Sequence, residues 1–162
     1  MRMNKEFKRA VWNSMLDADM NGRYWKYLTE RYSKRETSLK IFLAIMTSST
    51  VAGWGIWEGN VLIWKYLSAF SALLAIALPI LNYPKRIESM SELAGIWGEL
   101  RIGYENMWLD ISNYPDKNTL IRTYKTYRVT ESSLAKKESK MPNEKKLIKK
   151  CQEEVKQSLN LN

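Results

Sequence analysis

The sequence predicts an all-α membrane protein: a two-helix transmembrane hairpin with a cytoplasmic helical bundle contributed by both termini. Three observations predict it. Residues 41–57 carry no charge, and residues 61–83 are apolar apart from Lys65. Only Glu58, Gly59 and Asn60 separate the two runs. Ten Lys and Arg precede residue 41 and fifteen follow residue 83, with Lys65 completing the total of 26.

The chain of 162 residues is long enough for one modest domain. Its organisation reads as N-terminal amphipathic helices over 1–40, the hairpin over 41–83, and a C-terminal helical region over 84–162. Residues 4 to about 20 place Phe7, Val11, Met15 and Ala18 on one stripe, opposite Lys and Arg. Asn21-Gly22 reads as a break before a second helix, Arg23 to Lys40, with Tyr24, Tyr27, Leu28, Tyr32 and Leu39. No Pro or Gly follows Gly22 before the first apolar run, so that helix is expected to continue into it.

The first run, 17 residues from Ile41 to Trp57, spans roughly 25 Å as a helix; the second, 23 residues from Val61 to Tyr83, about 34 Å. A hydrocarbon core of about 30 Å needs segments of this kind. A buried hairpin in a soluble bundle would show a charged face at helical spacing, and neither run has one. Trp54, Trp57, Trp64 and Tyr66 cluster about the turn, where aromatic rings favour an interface. Tyr83, Lys85 and Arg86, with Lys40, mark the opposite interface, and Lys65 can snorkel. The short turn requires antiparallel helices, and the cation excess places both termini in the cytoplasm. The apolar run starts too far from the N-terminus to read as a cleaved signal peptide.

Beyond the hairpin, Met90, Leu93, Trp97, Leu100, Tyr104, Met107 and Ile111 recur at alternating three- and four-residue spacing. That is a coiled-coil-like seam, serving a bundle or an oligomer. A turn over Asn113–Asp116 ends it. A helix from about Asn118 follows with Leu120, Tyr124, Tyr127 and Leu134. Pro142 opens a last, Lys-rich helix with the stripe Ile148, Cys151, Val155 and Leu159.

Within the hairpin the small polar residues ask for an explanation. Thr47, Thr50, Trp54 and Trp57 share one helix face, and Ser49 with Gly53 forms a small-xxx-small pair. In the second helix Ser68, Ser71 and Ala75 share a stripe, and Pro79 removes a backbone donor. Small residues admit close helix packing, which assigns Ser49, Gly53 and Pro79 to helix contacts. In an oligomer the same groups can line a water-filled path, with Thr47, Thr50, Trp54, Ser68, Ser71 and Ala75 as its candidates. One hairpin cannot enclose a path, so conduction requires several copies.

Catalysis finds no constellation. The chain has no histidine, the side chain that titrates near neutral pH. It has one cysteine, Cys151, read as a reduced thiol. No catalytic residue, metal ligand set or cofactor motif is assigned, and no enzyme activity is expected. The stretch "DADMNG", Asp17–Gly22, opens like an EF-hand loop, but its ninth and twelfth positions are Trp25 and Leu28. Eight Lys against four Glu over residues 135–156 suit a face near anionic lipid. Without interleaved aromatics they do not point to direct nucleic-acid binding.

The stretch "RYWKYLTERYSKR", the tight apolar hairpin and the helix "NYPKRIESMSELAGIWGEL" form one layout. Over residues 20–112 it resembles the SLATT-type two-transmembrane effectors of prokaryotic anti-phage conflict systems. The resemblance implies a homo-oligomeric membrane effector that forms a pore or disrupts the membrane on activation. It implies a trigger from outside this chain, either a nucleotide second messenger or a sensor protein. The alternative is a non-conducting anchor or scaffold that recruits a cytoplasmic partner through its helical bundle.

Overall fold

The computed structural model describes residues 5–48, 61–111, 116–139 and 141–159, with side chains from Tyr66 onward in the second stretch. Among the described residues every regular element is helical. They are α1 (Lys5–Thr47), α2 (Val61–Leu81), α3 (Tyr83–Asp110), α4 (Lys117–Glu138) and α5 (Lys145–Ser158). The chain is all-α. It forms two compact units, one of Met1–Tyr27 with Met90–Asn162 and one of Leu28–Ser89.

In the first unit the seam is the core. Met90, Leu93, Trp97, Leu100, Tyr104, Met107 and Ile111 are all buried, joined by Val11, Met15, Ala18, Leu120, Leu134, Leu147, Cys151 and Val155. The contacts fix the helix directions. Trp12 meets Trp108 at 5.1 Å between ring centroids, and Gly22 faces the Cβ of Trp97, so α1 runs antiparallel to α3. Tyr104 meets Tyr127, and Lys137 pairs with Glu92 at 2.9 Å, so α3 and α4 are also antiparallel. Tyr27 donates to Glu154 at 3.0 Å and Arg23 to the Ser158 hydroxyl at 3.2 Å, which sets α5 antiparallel to α1.

Three local expectations are corrected. Asn21-Gly22 does not break α1, which is one helix from Lys5 to Thr47. A Cβ at Gly22 would sit 3.7 Å from Trp97 Cβ, so the small residue admits α3 at close range, and packing outweighs the helix penalty of glycine. The last helix begins at Lys145, with Glu144 as N-cap, rather than at Pro142. There Tyr24 bridges the entry: its hydroxyl donates to the Pro142 carbonyl at 2.9 Å and accepts from Glu144 N–H at 3.1 Å. The buried stripe of α5 is Leu147, Cys151 and Val155, a four-residue repeat, with Ile148 only half-buried. At the start of α4, Asp116 accepts from Asn118 and Thr119 N–H, satisfying two of the helix's orphan donors. These bonds hold its carboxyl below the usual range. The residues of the expected turn over 113–115 lie outside the described stretches.

In the second unit, α1 and α2 form an antiparallel pair. Phe42 meets Phe70 edge-on at 6.1 Å, and Tyr32 meets Tyr83 at 5.9 Å. Going from Tyr32 to Phe42 along α1 moves from Tyr83 back to Phe70, the register of a hairpin. The second apolar helix ends at Leu81 rather than Tyr83, because Asn82 takes the left-handed conformation, φ 46°. Asparagine tolerates this conformation, common just past a helix end, and Arg86 N–H bonds back to its carbonyl as α3 starts.

Candidate functional site

Exposed large apolar side chains are concentrated in the second unit, although Ile102, Leu109 and Val129 stand open on the first. Large apolar side chains stand open in the second unit: Ile41 and Ile45 on α1, and Tyr66, Phe70, Leu73, Ile76 and Ile80 on α2. On α2 these five fall at i, i+4, i+7, i+10 and i+14, one bulky arc of the helix. Their exposure runs from 54% at Phe70 to 77% at Ile80. An exposed apolar surface of this kind marks a site of interaction rather than a finished fold.

A second face of α2 is covered. Leu67, Leu74 and Leu78 are its half-buried leucines, and Ser71 beside them is buried, its hydroxyl donating to the Leu67 carbonyl at 2.8 Å. That back-bond satisfies the hydroxyl inside an apolar contact. The third face holds Ser68, Ala72, Ala75 and Pro79 at i, i+4, i+7 and i+11, all exposed and all small. Among the sequence-predicted residues, then, Ser71 turns into the covered stripe while Ser68, Ala75 and Pro79 stand open together.

On α1, Thr47 is exposed, and its hydroxyl donates to the Leu43 carbonyl at 2.8 Å. Thr50 and Trp54, expected to share its face, lie outside the described residues, as do Ser49 and Gly53 of the expected packing pair. The aromatic cluster around the turn falls there too, or where side chains are not described, except for the exposed Tyr66. The seam from Met90 to Ile111 is buried by the chain's own bundle, at most 6% exposed. Among the described residues no single helix is long and apolar enough to cross a membrane. Tyr66–Leu81 and Tyr83–Asp110, broken at Asn82, pass that test only as a pair.

The first unit holds polar groups that spacing did not reveal. The indole N–H groups of Trp25 and Trp97 both donate to Glu138 Oε1, at 2.7 and 2.6 Å. One carboxylate thereby ties α1 and α3 to the end of α4. Tyr104, fully buried, donates to Glu131 at 2.7 Å, and Arg128 pairs with the other oxygen of that carboxylate. Burial, then the hydrogen bond to Glu131 and its charge, pushes the Tyr104 phenol up; burial raises Glu131 too, against the opposing pull of Tyr104 and Arg128. Trp25 stands in the sequence as the ninth position of a calcium-loop lookalike, which masked its packing role. A lone Glu among lysines gives no periodic signal for Glu138.

The calcium-loop lookalike is helical throughout. Asp17 and Asp19 project in different directions on α1, and Asp19 is engaged by Arg23 at 3.0 Å and Arg101 at 3.5 Å. Among the described residues no group of three His, Cys, Asp or Glu is placed to hold a metal ion. Cys151 is fully buried, and burial raises its thiol pKa. No protein family, curated protein or solved structure was found to match the chain.

Proposed function

We propose that the Leu28–Ser89 unit is a membrane hairpin, with both termini in the bacterial cytoplasm. In this reading the chain assembles as a homo-oligomer that forms a pore or disrupts the inner membrane on activation. One observation carries the proposal: α2 leaves two chemically distinct faces uncovered. Lipid suits the bulky arc from Tyr66 to Ile80. A second copy suits the small face of Ser68, Ala72, Ala75 and Pro79, because small residues let helices approach where lipid supplies no drive between them. Thr47 and Ser68 are the described hydroxyls open to an inter-subunit path, and Thr50 is carried as a candidate from the sequence.

The bundle of the first unit is the receiver. A partner protein or a nucleotide second messenger that binds one packing of it better than another would bias the hairpins. An antiviral role rests on the likeness to SLATT effectors in layout. No catalytic step is assigned to any residue. A non-conducting scaffold is the competing reading, and the buried seam leaves its partner only the outer surface of the bundle.

The test is overexpression of the full chain, at a level that populates the activated packing without its trigger, in bacteria carrying a potential-sensitive dye. Depolarisation is expected, and Ala75→Leu, which fills the small face, should reduce it at unchanged protein level. Thr47→Leu should reduce it as well. Depolarisation undiminished by both changes removes these faces from the path, and a monomeric, non-depolarising membrane protein leaves the scaffold.

A further inference from the structure

Beside the apolar surface of the second unit lies a groove of about 410 Å³, lined by Arg31, Lys34, Arg35, Ser38, Leu39 and Tyr83. We infer that this groove binds the phosphate of one anionic phospholipid at the cytoplasmic leaflet. The inference rests on the membrane reading above and adds a specific ligand to it.

The residues set out this chemistry along a single helix. Arg31, Lys34, Ser38, Ile41 and Ile45 recur at i, i+3, i+7, i+10 and i+14, so they share one face of α1. That face is cationic at one end and apolar at the other. Ile41 lies seven residues past Lys34, roughly 10 Å along the axis, and Ile45 about 6 Å further. Phosphate among the three cations would place an acyl chain against Ile41 and Ile45, both more than half exposed. The Ser38 hydroxyl is a donor within the groove, and Tyr83 closes its side.

The Glu36 carboxylate is held by Lys40 at 2.6 Å. Lys34 and Arg35 make no ion pair among the described residues, and the Arg35 guanidinium lies 5.8 Å from the Tyr32 ring centroid, which orients it. A guanidinium is suited to phosphate oxygens by its paired donors. An inorganic phosphate would use only the cationic end of this face. A phospholipid uses both ends, and that difference selects the lipid.

The experiment is native mass spectrometry of the detergent-solubilised full chain with phosphatidylglycerol, phosphatidylcholine or inorganic phosphate added. Phosphatidylglycerol should stay bound at collision energies that strip phosphatidylcholine. The triple change Arg31→Gln, Lys34→Gln, Arg35→Gln should weaken its retention more than tenfold. The matched loss of charge on α5, Lys145→Gln, Lys146→Gln, Lys149→Gln, should leave it within about twofold. Equal weakening by both variants, or displacement of the lipid by inorganic phosphate, overturns the site. If the triple variant loses helicity by circular dichroism, Lys34→Glu alone carries the same comparison. Flotation with phosphatidylcholine vesicles separates the two proposals. A chain that floats but shows no phosphatidylglycerol preference overturns the site alone, whereas a chain that never floats overturns the membrane reading and the site with it.

Discussion

Leu73→Lys puts the bulky arc of α2 to the sharpest test. Leu73 is 67% exposed and lies about 200° round the helix from Ser71, away from the covered stripe. It stands two residues, about 3 Å, from the midpoint of Val61–Leu81; if α2 spans the bilayer as proposed, a lysine there is too deep to reach either headgroup layer easily. The helix holds eleven Val, Leu, Ile and Phe, which favour insertion by about 5 kcal/mol in total at about 0.3 to 0.6 each. A lysine near the centre costs about 3 kcal/mol and also removes the leucine's own share. Most of the driving force for α2 is thereby cancelled, a change on the order of a hundredfold in the insertion equilibrium. In water the same exposed position would tolerate lysine within about 0.5 kcal/mol. Val129→Lys, at a 70% exposed site on α4, is the control. Alkaline extraction of membranes from cells expressing each full-length chain reads the result. Leu73→Lys should move largely to the supernatant while Val129→Lys stays with the wild type. If both variants pellet like the wild type, the arc does not face lipid and the reasoning fails.

Other consequences concern the bundle. Glu138→Ala should destabilise it by about 2 to 3 kcal/mol in urea unfolding followed by tryptophan fluorescence, because the buried Trp97 N–H loses its carboxylate acceptor. Glu138→Gln keeps an acceptor oxygen and should cost less than Ala. Cys151 should react with thiol reagents at least about a hundredfold more slowly in the native chain than in urea, since its sulfur is buried and its thiol pKa is raised. Glu131 has a folded pKa above its ordinary value, so the associated stability is complete below that ordinary value and is lost as pH rises through the raised one. Glu131→Gln should therefore flatten the fall in stability above pH 4.5 and leave that below it nearly unchanged, measured by urea unfolding across pH.

How much of this was legible depended on the range of the interaction. The seam from Met90 to Ile111 was readable because one helix repeats its buried face every three and four residues, and each of those seven side chains is buried. Continuity from Arg23 into the apolar run was readable for the same local reason: nothing in it breaks a helix. Asn21-Gly22 misled because turn propensity is a local signal, whereas Gly22 is kept helical beside Trp97, 75 positions away in the chain. The Glu138 clamp was invisible, since two tryptophans and one glutamate from three helices leave no period to detect. Ile148 in place of Leu147 was a one-residue error in phase. On a helix that rotates the stripe by about 100°, and only the packing of α5 against α1 fixes the phase.

The small polar residues of the hairpin gain different meanings once the faces of α2 are separated. Read as one stripe, Ser68, Ser71 and Ala75 fit packing first and leave water-lining open. In the structure Ser71 is buried with its hydroxyl bonded to the Leu67 carbonyl, so it belongs to contact within the hairpin. Ser68 and Ala75 stand open beside Ala72 and Pro79, on a strip much smaller in side-chain volume than the bulky arc next to it. Ala69 and Ala77 fall within the bulky arc, so the separation is partial, but the strip from Ser68 to Pro79 itself carries no large side chain. Such a strip admits a close helix–helix contact, and α1 covers a different face. If, as proposed, a second copy occupies the small face, Ala72→Leu with Ala75→Leu should weaken self-association without touching the Phe42–Phe70 contact. Crosslinking of the full chain in native membranes distinguishes the outcomes: loss of the dimer and higher bands places a second copy on that face, and an unchanged ladder places the copies elsewhere.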